Sequence, residues 1–324
     1  MLNKLNALHS GEQLIILFDD LNSQIGYLMG MAEYVSGESV NYMTHFGKGI
    51  VYVCIPSDKA QQLNLPLMSD GTNEEYKDFT VSVDFKTNTT GISAFERADT
   101  IKAFIQEDIT PADFIRPGHM FPLVSKERNI LDRIGIAEIA IFITEKKSKY
   151  PVSYVCEILN AEGGVANRNE VMQLSTHHKL PVLSFSEIIH YYYENTPWLN
   201  LSDKRYLDDS NKVAAYIVGN KLTNENLTIF LRQDSECKNN IIFYSECKFG
   251  DLLDSYTCGC HKHFKDYYTQ LLNEEIDAIV YENNQHTYKD LTLKGYIYKQ
   301  ITRIIEGELN SNQRKMKVGS HNET

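Results

Sequence analysis

The chain has 324 residues, of which 42% are apolar and 23% are charged, a balance typical of a globular protein with room for two hydrophobic cores. The formal net charge of -11 argues against a nucleic-acid partner, because such binding is driven by basic surfaces that release counterions. No apolar run approaches the roughly 18 residues that span a bilayer, and the first residues lack a signal-peptide pattern. We therefore expect a cytoplasmic protein that binds neither nucleic acid nor a membrane.

The first third of the sequence alternates between strand-like and helix-like segments. Residues 13–18 are a largely apolar run, predicted as a buried strand that ends at two carboxylates, Asp19 and Asp20. Two helices and then two further strands are predicted at residues 27–35, 37–46, 50–55 and 79–84. Ser36 is the predicted N-cap of the second helix. This succession predicts an α+β fold.

Four motifs in this half of the chain resemble successive motifs of the 3,4-dihydroxy-2-butanone 4-phosphate synthase family. They are Phe79-Thr-Val-Ser-Val-Asp84, Thr89-Thr-Gly-Ile-Ser-Ala-Phe-Glu-Arg-Ala-Asp-Thr-Ile101, Arg116-Pro-Gly-His-Met-Phe-Pro-Leu123 and Cys156-Glu-Ile-Leu-Asn160. That family converts ribulose 5-phosphate into a four-carbon ketone phosphate and formate on Mg²⁺. The resemblance implies a synthase-like α/β sandwich domain over residues 1–195, which forms a homodimer and binds a phosphorylated small molecule.

The resemblance also suggests roles for individual residues. The positions that match catalytic groups of the family are Asp19, Asp20, His119 and Glu157. The positions that match its substrate-binding groups are Thr89, Thr90, Arg116 and Arg133. Structural alternatives remain, because glycine and proline turns hold loops without any catalysis, and Glu157 is equally expected to pair with Arg133.

The two metal-binding motifs of the family are altered in this chain. The acidic loop, D-D-x-x-R-E-N-E-G-D, is replaced by Asp19-Asp-Leu-Asn-Ser-Gln-Ile-Gly-Tyr27, which lacks the metal-binding glutamate. The motif R-x-G-H-T-E is replaced by Arg133-Ile-Gly-Ile-Ala-Glu138, so Ile136 stands at the metal-binding histidine. Tyr52 stands at a cysteine of the family's site. Because isoleucine has no lone pair for a cation, we expect neither a Mg²⁺ site nor the synthase reaction.

A polar segment that contains Pro197, residues 195–204, is predicted to link this domain to a second domain at residues 200–305. Strands are predicted in the second domain at residues 212–218, 227–232, 241–244 and 278–281. With an amphipathic helix at residues 263–273, they predict a smaller α/β domain. Residues 306–324 are predicted to be a disordered tail.

Three cysteines of the second domain, Cys247, Cys258 and Cys260, have C-x10-C-x-C spacing. Three thiolates at this spacing are able to converge on one Zn²⁺, and the alternative is a set of reduced structural thiols. The segments Tyr244-Ser-Glu-Cys-Lys-Phe-Gly-Asp251 and Thr257-Cys-Gly-Cys260 resemble the zinc loop of GTP cyclohydrolase II, H-S-E-C-x-T-G-D followed by R-C-D-C. The resemblance implies a zinc-containing, cyclohydrolase-II-like domain.

The nucleotide-binding groups of that second family are replaced here. Residues 282–290 lack the arginines of its R-Q-E-G-R-G-I-G-L loop, and Tyr244 and Ile242 stand at its histidine and arginine. We therefore expect a structural zinc and no opening of the guanine ring. A synthase-like half followed by a cyclohydrolase-like half is the layout of the bifunctional riboflavin-biosynthesis family.

Three functions remain open from the sequence, and whether the chain is an enzyme remains open with them. We favour a divergent riboflavin-biosynthesis homologue that has lost both catalytic sets and acts as a sugar-phosphate-binding or scaffold and regulatory protein. A second interpretation is a repurposed enzyme that acts on a related sugar phosphate or metabolite without the usual Mg²⁺. A third is a genuine synthase of riboflavin biosynthesis.

Overall fold

A computed structural model describes residues 14–69, 77–197, 199–207, 212–221, 225–234, 240–245, 247, 260–282 and 291–319. For residues 260, 261, 291–294 and 310–319 it describes the backbone alone. The chain divides into two units, Met1–Tyr191 and Tyr192–Thr324. Within the described residues, no helix is both long and apolar enough to cross a membrane.

The described part of the first unit contains eight strands, six of which form one sheet. The strands are β1 (Ile15–Phe18), β2 (Gly26–Met31), β3 (Lys48–Ile55), β4 (Val83–Phe85), β5 (Phe114–Met120), β6 (Pro122–Val124), β7 (Ser153–Ile158) and β8 (Val182–Ser184). The sheet has the order β6-β3-β7-β2-β1-β8. β1 pairs with β8 and β3 with β6 in parallel, and the other neighbours are antiparallel. β4 and β5 form a separate antiparallel pair.

Helices accompany these strands and begin at identifiable caps. The helices are α1 (Gly37–Tyr42), α2 (Ser57–Gln62), α3 (Ala94–Ala103), α4 (Ile136–Glu145), α5 (Arg168–His178) and α6 (Phe185–Asn195). The side chains of Ser36, Ser93 and Asn167 accept backbone N–H groups at the starts of α1, α3 and α5. α4 is buried at every residue except Glu145 and packs against β3 and β7, so it lies inside the unit.

The structure confirms the predicted buried strands at β1 and β3 and the Ser36 cap of α1. The helix predicted at residues 27–35 is wrong, because Gly26–Met31 forms strand β2, which is antiparallel to β1 and buried at all six residues. A strand buried on both faces is a continuous apolar run, and periodicity does not distinguish it from a buried helix. Of the strand predicted at residues 79–84, only the end is regular strand, in β4 (Val83–Phe85).

The second unit is built on a five-stranded sheet of order β12-β13-β11-β10-β9. Its elements are β9 (Leu199–Tyr206), β10 (Val213–Asn220), β11 (Glu225–Arg232), β12 (Ile241–Ser245), α7 (Cys260–Leu272), β13 (Ala278–Glu282) and α8 (Leu291–Gly319). The sheet is antiparallel except for the parallel pair of β12 and β13. α8 packs on one face through Ile297 and Ile301, and α7 packs on the other through Phe264 and Leu271.

Two expectations for this unit differ from the structure. The predicted linker at residues 195–204 contains most of β9, whose backbone pairs with β10 while most of its side chains are exposed. A polar edge strand of this kind resembles a loop in sequence. The tail predicted as disordered from residue 306 continues helix α8 to Gly319, because Ile305 and Leu309 extend the buried stripe of that helix.

The division between the two units falls inside helix α6, between Tyr191 and Tyr192, a few residues before the predicted linker. The last turn of α6 belongs to the second unit. There the side-chain amide of Gln300 donates hydrogen bonds to the carbonyl oxygens of Tyr193 (2.8 Å) and Thr196 (3.0 Å). Because Gln300 is buried, these bonds fasten the end of α6 to α8.

Candidate functional site

The turn after β1 is organised around the carboxylate of Asp19. Its Oδ1 accepts backbone hydrogen bonds from Leu21 (3.1 Å) and Asn22 (2.9 Å). Its Oδ2 accepts hydrogen bonds from the backbone N–H (3.1 Å) and the hydroxyl (2.7 Å) of Ser23. Asp19 is only 6% exposed, so both of its oxygens are committed to the shape of the turn. A catalytic role for Asp19 remains a prediction.

The neighbouring carboxylate of Asp20 fastens the same turn to helix α6. Ser186, in the first turn of α6, donates its backbone N–H (3.0 Å) and its hydroxyl (2.5 Å) to the two oxygens. Burial acts to raise the pKa of Asp20, but these hydrogen bonds outweigh it, and the pKa lies below its ordinary value. An ionised carboxylate at a helix N-terminus is a stabilising arrangement, so Asp20 has a structural task independent of catalysis.

The carboxylate of Glu157, at the end of β7, lies in a cluster of aromatic and charged side chains. It forms an ion pair with the ammonium group of Lys77. The Lys77 Nζ also lies 5.6 Å from the ring centroids of both Tyr27 and Tyr52. Tyr27 is opposite Glu157 in the register of β2 and β7. We call these four residues the lysine cluster.

The two tyrosines of the lysine cluster are buried and neutral. Burial raises the pKa of Tyr27 far above its ordinary value, and the charge of Glu157 adds to the shift. Burial likewise raises the pKa of Tyr52. The Tyr52 hydroxyl has no hydrogen-bond partner among the described residues, although Tyr52 is only 2% exposed. It is therefore a buried polar atom that no described residue compensates.

A second charged group surrounds Arg133, just before helix α4. Its Nε (3.0 Å) and Nη2 (2.7 Å) donate to one oxygen of Glu138, which is fully buried. Its Nη1 donates to Oδ2 of Asp78 (3.0 Å), and the same oxygen lies 2.9 Å from the Nζ of Lys126. Opposite charges therefore alternate through the group, and removing one of them would leave a partly desolvated charge without its partner.

His119 and Asp84 form a third arrangement, on the paired strands β4 and β5. The Nδ1 of His119 lies 2.7 Å from Oδ2 of Asp84, and its backbone N–H donates to Oδ1 (2.9 Å). A carboxylate at Nδ1 favours the proton on that nitrogen, which leaves Nε2 as an acceptor on a ring that is 45% exposed. Gly91 lies against this pair with φ of +74°, and a Cβ there would approach the Asp84 carboxylate to 2.1 Å. This geometry is suited to proton transfer.

The predicted substrate-binding side chains have partners within the chain. Thr89 and Thr90 donate their hydroxyls to the carboxylate of Glu96, at 2.7 and 3.2 Å. The hydrogen bonds from Thr89 lower the pKa of Glu96 to about 2. Arg116 donates from Nη2 to the carbonyl oxygen of Leu63 (2.8 Å). All three donors are of the kind that binds phosphate, and their use for a ligand remains a prediction.

The structure thus distributes the candidate residues over several separate groups. Glu157 and Arg133 do not pair with each other, but their partners Lys77 and Asp78 are adjacent in the chain. In the part of the chain that the structure describes, the lysine cluster shares no hydrogen bond or ion pair with His119 and Asp84. Lys77 was missed by sequence reasoning because it lies outside every motif quoted above, whereas Asp84 ends one of them.

A groove of about 950 Å³ lies beside the end of β7, between the turn that follows it and helix α5. Its lining includes Phe46, Asn160, Met172 and His177. None of the predicted catalytic or substrate-binding residues lines it. Its volume alone therefore does not identify it as the functional site, and the charged groups are the stronger candidates.

The residues at the family's two Mg²⁺-binding positions do not suit that ion. Ile136 is apolar and buried at the start of α4. The acidic turn contributes Asp19, whose oxygens already accept four hydrogen bonds. Mg²⁺ requires oxygen ligands in near-octahedral geometry. The carboxylate of Glu157 already forms an ion pair with the ammonium of Lys77. This donor set therefore does not fit the metal.

The predicted zinc site falls largely outside the described residues. Cys247 is described, half-buried and free of a disulfide, but Cys258 lies outside the described residues and Cys260 is described by its backbone alone, at the start of α7. Among the side chains that the structure describes, no group of three His, Cys, Asp or Glu is placed to hold a metal. The structure therefore gives no support for zinc, which remains a prediction.

The fold and the order of the motifs define a synthase-type first unit followed by a second domain. Residues 3–191 match the sequence model of 3,4-dihydroxy-2-butanone 4-phosphate synthase. The chain belongs to the 3,4-dihydroxy-2-butanone 4-phosphate synthase family.

Some known relatives match most of this chain, and another matches about half of it. A riboflavin biosynthesis protein RibBA of Staphylococcus haemolyticus is 30% identical over 279 residues, which cover 86% of this chain and 71% of that protein. A RibBA of Staphylococcus epidermidis is 31% identical over 79% of this chain and 66% of the relative. A 3,4-dihydroxy-2-butanone 4-phosphate synthase of Oceanobacillus iheyensis is 39% identical over 55% of this chain and 87% of the relative. The chain is thus a homologue of the bifunctional riboflavin-biosynthesis proteins.

Solved structures support the same fold. RibBX of A. baumannii, a two-domain 3,4-dihydroxy-2-butanone 4-phosphate synthase, has a TM-score of 0.70 and 23% identity, and covers 94% of this chain and 90% of its own. A synthase in complex with two magnesium ions has a TM-score of 0.55 and 25% identity, over 60% of this chain and 96% of its own. The predicted mixture of helices and strands, in a synthase-like fold with a second domain, is therefore confirmed. The zinc of the second domain and its likeness to GTP cyclohydrolase II stay predictions.

Proposed function

We propose that the first unit binds a phosphorylated sugar and does not carry out the Mg²⁺-dependent conversion of ribulose 5-phosphate. The observation that carries this proposal is the ion pair between Lys77 and Glu157, whose ammonium lies beside the rings of Tyr27 and Tyr52. Glu157 stands at the family's acid and base glutamate, and the two tyrosines stand at an aspartate and a cysteine of its site. A lysine ammonium on that carboxylate opposes the approach of a second cation.

The phosphate-binding half of the proposal rests on the retained donors. Thr89, Thr90, Arg116 and Arg133 match the family's substrate-binding positions and supply hydroxyl and guanidinium groups, which bind phosphate through charge-assisted hydrogen bonds. Arg133 is held by the buried carboxylate of Glu138, so its guanidinium is oriented before a ligand arrives. A preorganised donor loses less freedom on binding.

Two measurements on the purified protein test this function. Calorimetric titration with ribulose 5-phosphate is expected to show binding, and assays of formate release with Mg²⁺ are expected to stay at background. Substituting Arg116 by Met should weaken binding by at least roughly tenfold, because a charge-assisted hydrogen bond contributes about 1.5–3 kcal/mol. The control is Arg205→Met, since Arg205 pairs with Asp203 in the second unit, away from the candidate groups. Formate release that depends on Mg²⁺ would contradict this proposal and show that the protein is a genuine synthase. The 39% identity to a synthase favours that alternative.

A second candidate function is proton transfer on a related sugar phosphate without a metal. The pairing of Asp84 with His119 favours it, because the carboxylate orients an imidazole whose second nitrogen is able to accept a proton. Exchange of a substrate carbon-bound hydrogen for solvent deuterium, measured by NMR in the presence of EDTA, would reveal this activity. It should disappear in His119→Gln, and its absence from the parent protein would exclude this candidate.

We also propose that the chain forms a homodimer through its first unit. Support comes from the retained sheet and helices of the synthase fold, since soluble oligomers are most often symmetric dimers. Sedimentation at micromolar concentration tests the assembly, and a monomer would contradict it.

A further inference from the structure

Lys77 and Asp78 are adjacent residues of opposite charge. Asp78 holds Arg133, which the proposed function assigns to a ligand, and Lys77 holds Glu157, a predicted catalytic residue. Lys77 pairs with Glu157, and Asp78 pairs with Arg133 and Lys126. The backbone here is fixed by the neighbouring bridge between Phe79 and Leu123. Two neighbouring charged residues thus form ion pairs with side chains from two separate motifs.

The carboxylate of Asp78 is held as a bound phosphate oxygen would be held. A single oxygen, Oδ2, lies 3.0 Å from Nη1 of Arg133 and 2.9 Å from Nζ of Lys126. The side chain of Asp78 is 14% exposed and that of Arg133 is 20% exposed, whereas Lys126 is 44% exposed. Two cations converge on one anionic oxygen at the edge of solvent, which is a common arrangement for phosphate recognition.

The ammonium of Lys77 provides the complementary positive charge at Glu157. It pairs with the carboxylate and lies 5.6 Å from two aromatic ring centroids, a distance at which the ring faces attract a cation. The buried Tyr52 hydroxyl in the same cluster has no hydrogen-bond partner among the described residues. A polar atom without compensation marks a place that a ligand or water is able to complete.

We propose that Lys77 and Asp78 are internal counter-charges. Asp78 competes with the phosphate of a sugar phosphate for Arg133 and Lys126, and Lys77 competes with the hydroxyl groups of the sugar for the carboxylate of Glu157. The inference rests on the proposed function, because it concerns the same ligand groups. A phosphate that reaches Arg133 and Lys126 must displace Asp78, whose like charge opposes it at close range. The side chain therefore lowers the affinity of the resting protein for its ligand.

The test compares Asp78→Asn with the parent chain and with Asp203→Asn. Asp203 is the control, because it also pairs with an arginine, Arg205, but belongs to the second unit. Calorimetry with inorganic phosphate and with ribulose 5-phosphate at low ionic strength gives the dissociation constants. We expect Asp78→Asn to bind both probes at least roughly tenfold more tightly, since the like charge that opposes the phosphate is removed, and Asp203→Asn to match the parent.

Each outcome of this comparison decides a specific claim. If the parent binds ribulose 5-phosphate and Asp78→Asn binds it equally or more weakly, Asp78 only orients Arg133, and the counter-charge inference is overturned while the proposed function stands. If only the variant binds, the inference holds and sugar-phosphate binding by the resting protein fails. If neither binds, both fail. Should Asp78→Asn not fold, Asp78→Ser removes the same charge and is judged by the same criteria.

Discussion

The ammonium of Lys77 lies against the carboxylate of Glu157, a residue 80 positions later in the chain. The rings of Tyr27 and Tyr52 flank this pair, and both are almost completely buried. Glu157 therefore meets a positive charge supplied by the protein itself. Lys77 thus competes with a substrate or a metal for one oxygen of this carboxylate.

Replacing Lys77 by Met should destabilise the protein by about 1–3 kcal/mol. A partly exposed ion pair contributes about 0.2–1 kcal/mol, and each of the two contacts of the ammonium with an aromatic face adds about 0.5–1 kcal/mol. Lys86→Met is the control, because Lys86 pairs with Asp113 and its ammonium has no aromatic ring beside it among the described residues. Urea unfolding followed by circular dichroism measures the difference. Equal midpoints for the two variants would contradict the proposed role of the ring contacts.

Glu96 should make the stability of the first unit depend on pH in the acid range. The hydrogen bonds from Thr89 lower its folded-state pKa to about 2, below the unfolded value of 4.5. The stability that Glu96 contributes is therefore fully present above about pH 4.5 and is lost as the pH falls toward 2. The stability difference between the parent and Glu96→Gln should shrink over this interval. A difference that stays constant between pH 5 and 2.5 would show that the carboxylate is not held as described.

Two buried thiols should be unreactive in the folded protein. Burial raises the pKa of Cys156 to about 12 and raises that of Cys54 further, so neither forms thiolate near neutral pH. Treatment with iodoacetamide at pH 8, followed by peptide mass spectrometry, should leave both unlabelled. Labelling in urea should then be complete. Rapid modification of either thiol without denaturant would be inconsistent with their burial between the sheet and its helices.

The end of helix α8 should be necessary for the second unit. Leu309 is 1% exposed in the apolar layer that also contains Ile301 and Ile305, and truncating a buried leucine to alanine costs about 2–5 kcal/mol. Leu309→Ala, or a chain that ends at residue 305, should therefore unfold at lower temperature. The matched control removes residues 320–324 only. If the chain that ends at 305 melts like the full chain, the tail is dispensable, as its sequence alone suggested.

The cysteine cluster remains a prediction that metal analysis is able to decide. We expect roughly one Zn²⁺ per chain, held by Cys247, Cys258 and Cys260, because thiolate ligands favour zinc over hard cations. Substituting Cys258 and Cys260 by Ser should release the metal and destabilise the second unit, with little effect on the first. The matched control is Cys54→Ser, a cysteine of the first unit. Purified protein that contains no zinc would refute this prediction.

Several features of this protein were determined by sequence alone. The buried strands β1 and β3 follow from short apolar runs, and the start of α1 follows from Ser36, because these signals depend on residues that are neighbours in the chain. The order of the synthase motifs also identified the family, which the comparisons confirm.

Only the tertiary structure decided what the candidate residues contact. Strand β2 was predicted as a helix because full burial removes the alternation that distinguishes a strand. Lys77 carried no sequence signal, since its partner Glu157 comes within reach only when β2 and β7 pair and the chain before β4 folds over them. The interaction between two charges depends on the distance between them in space. The number of residues that separates them in the chain does not give this distance, which is set only when the sheet forms.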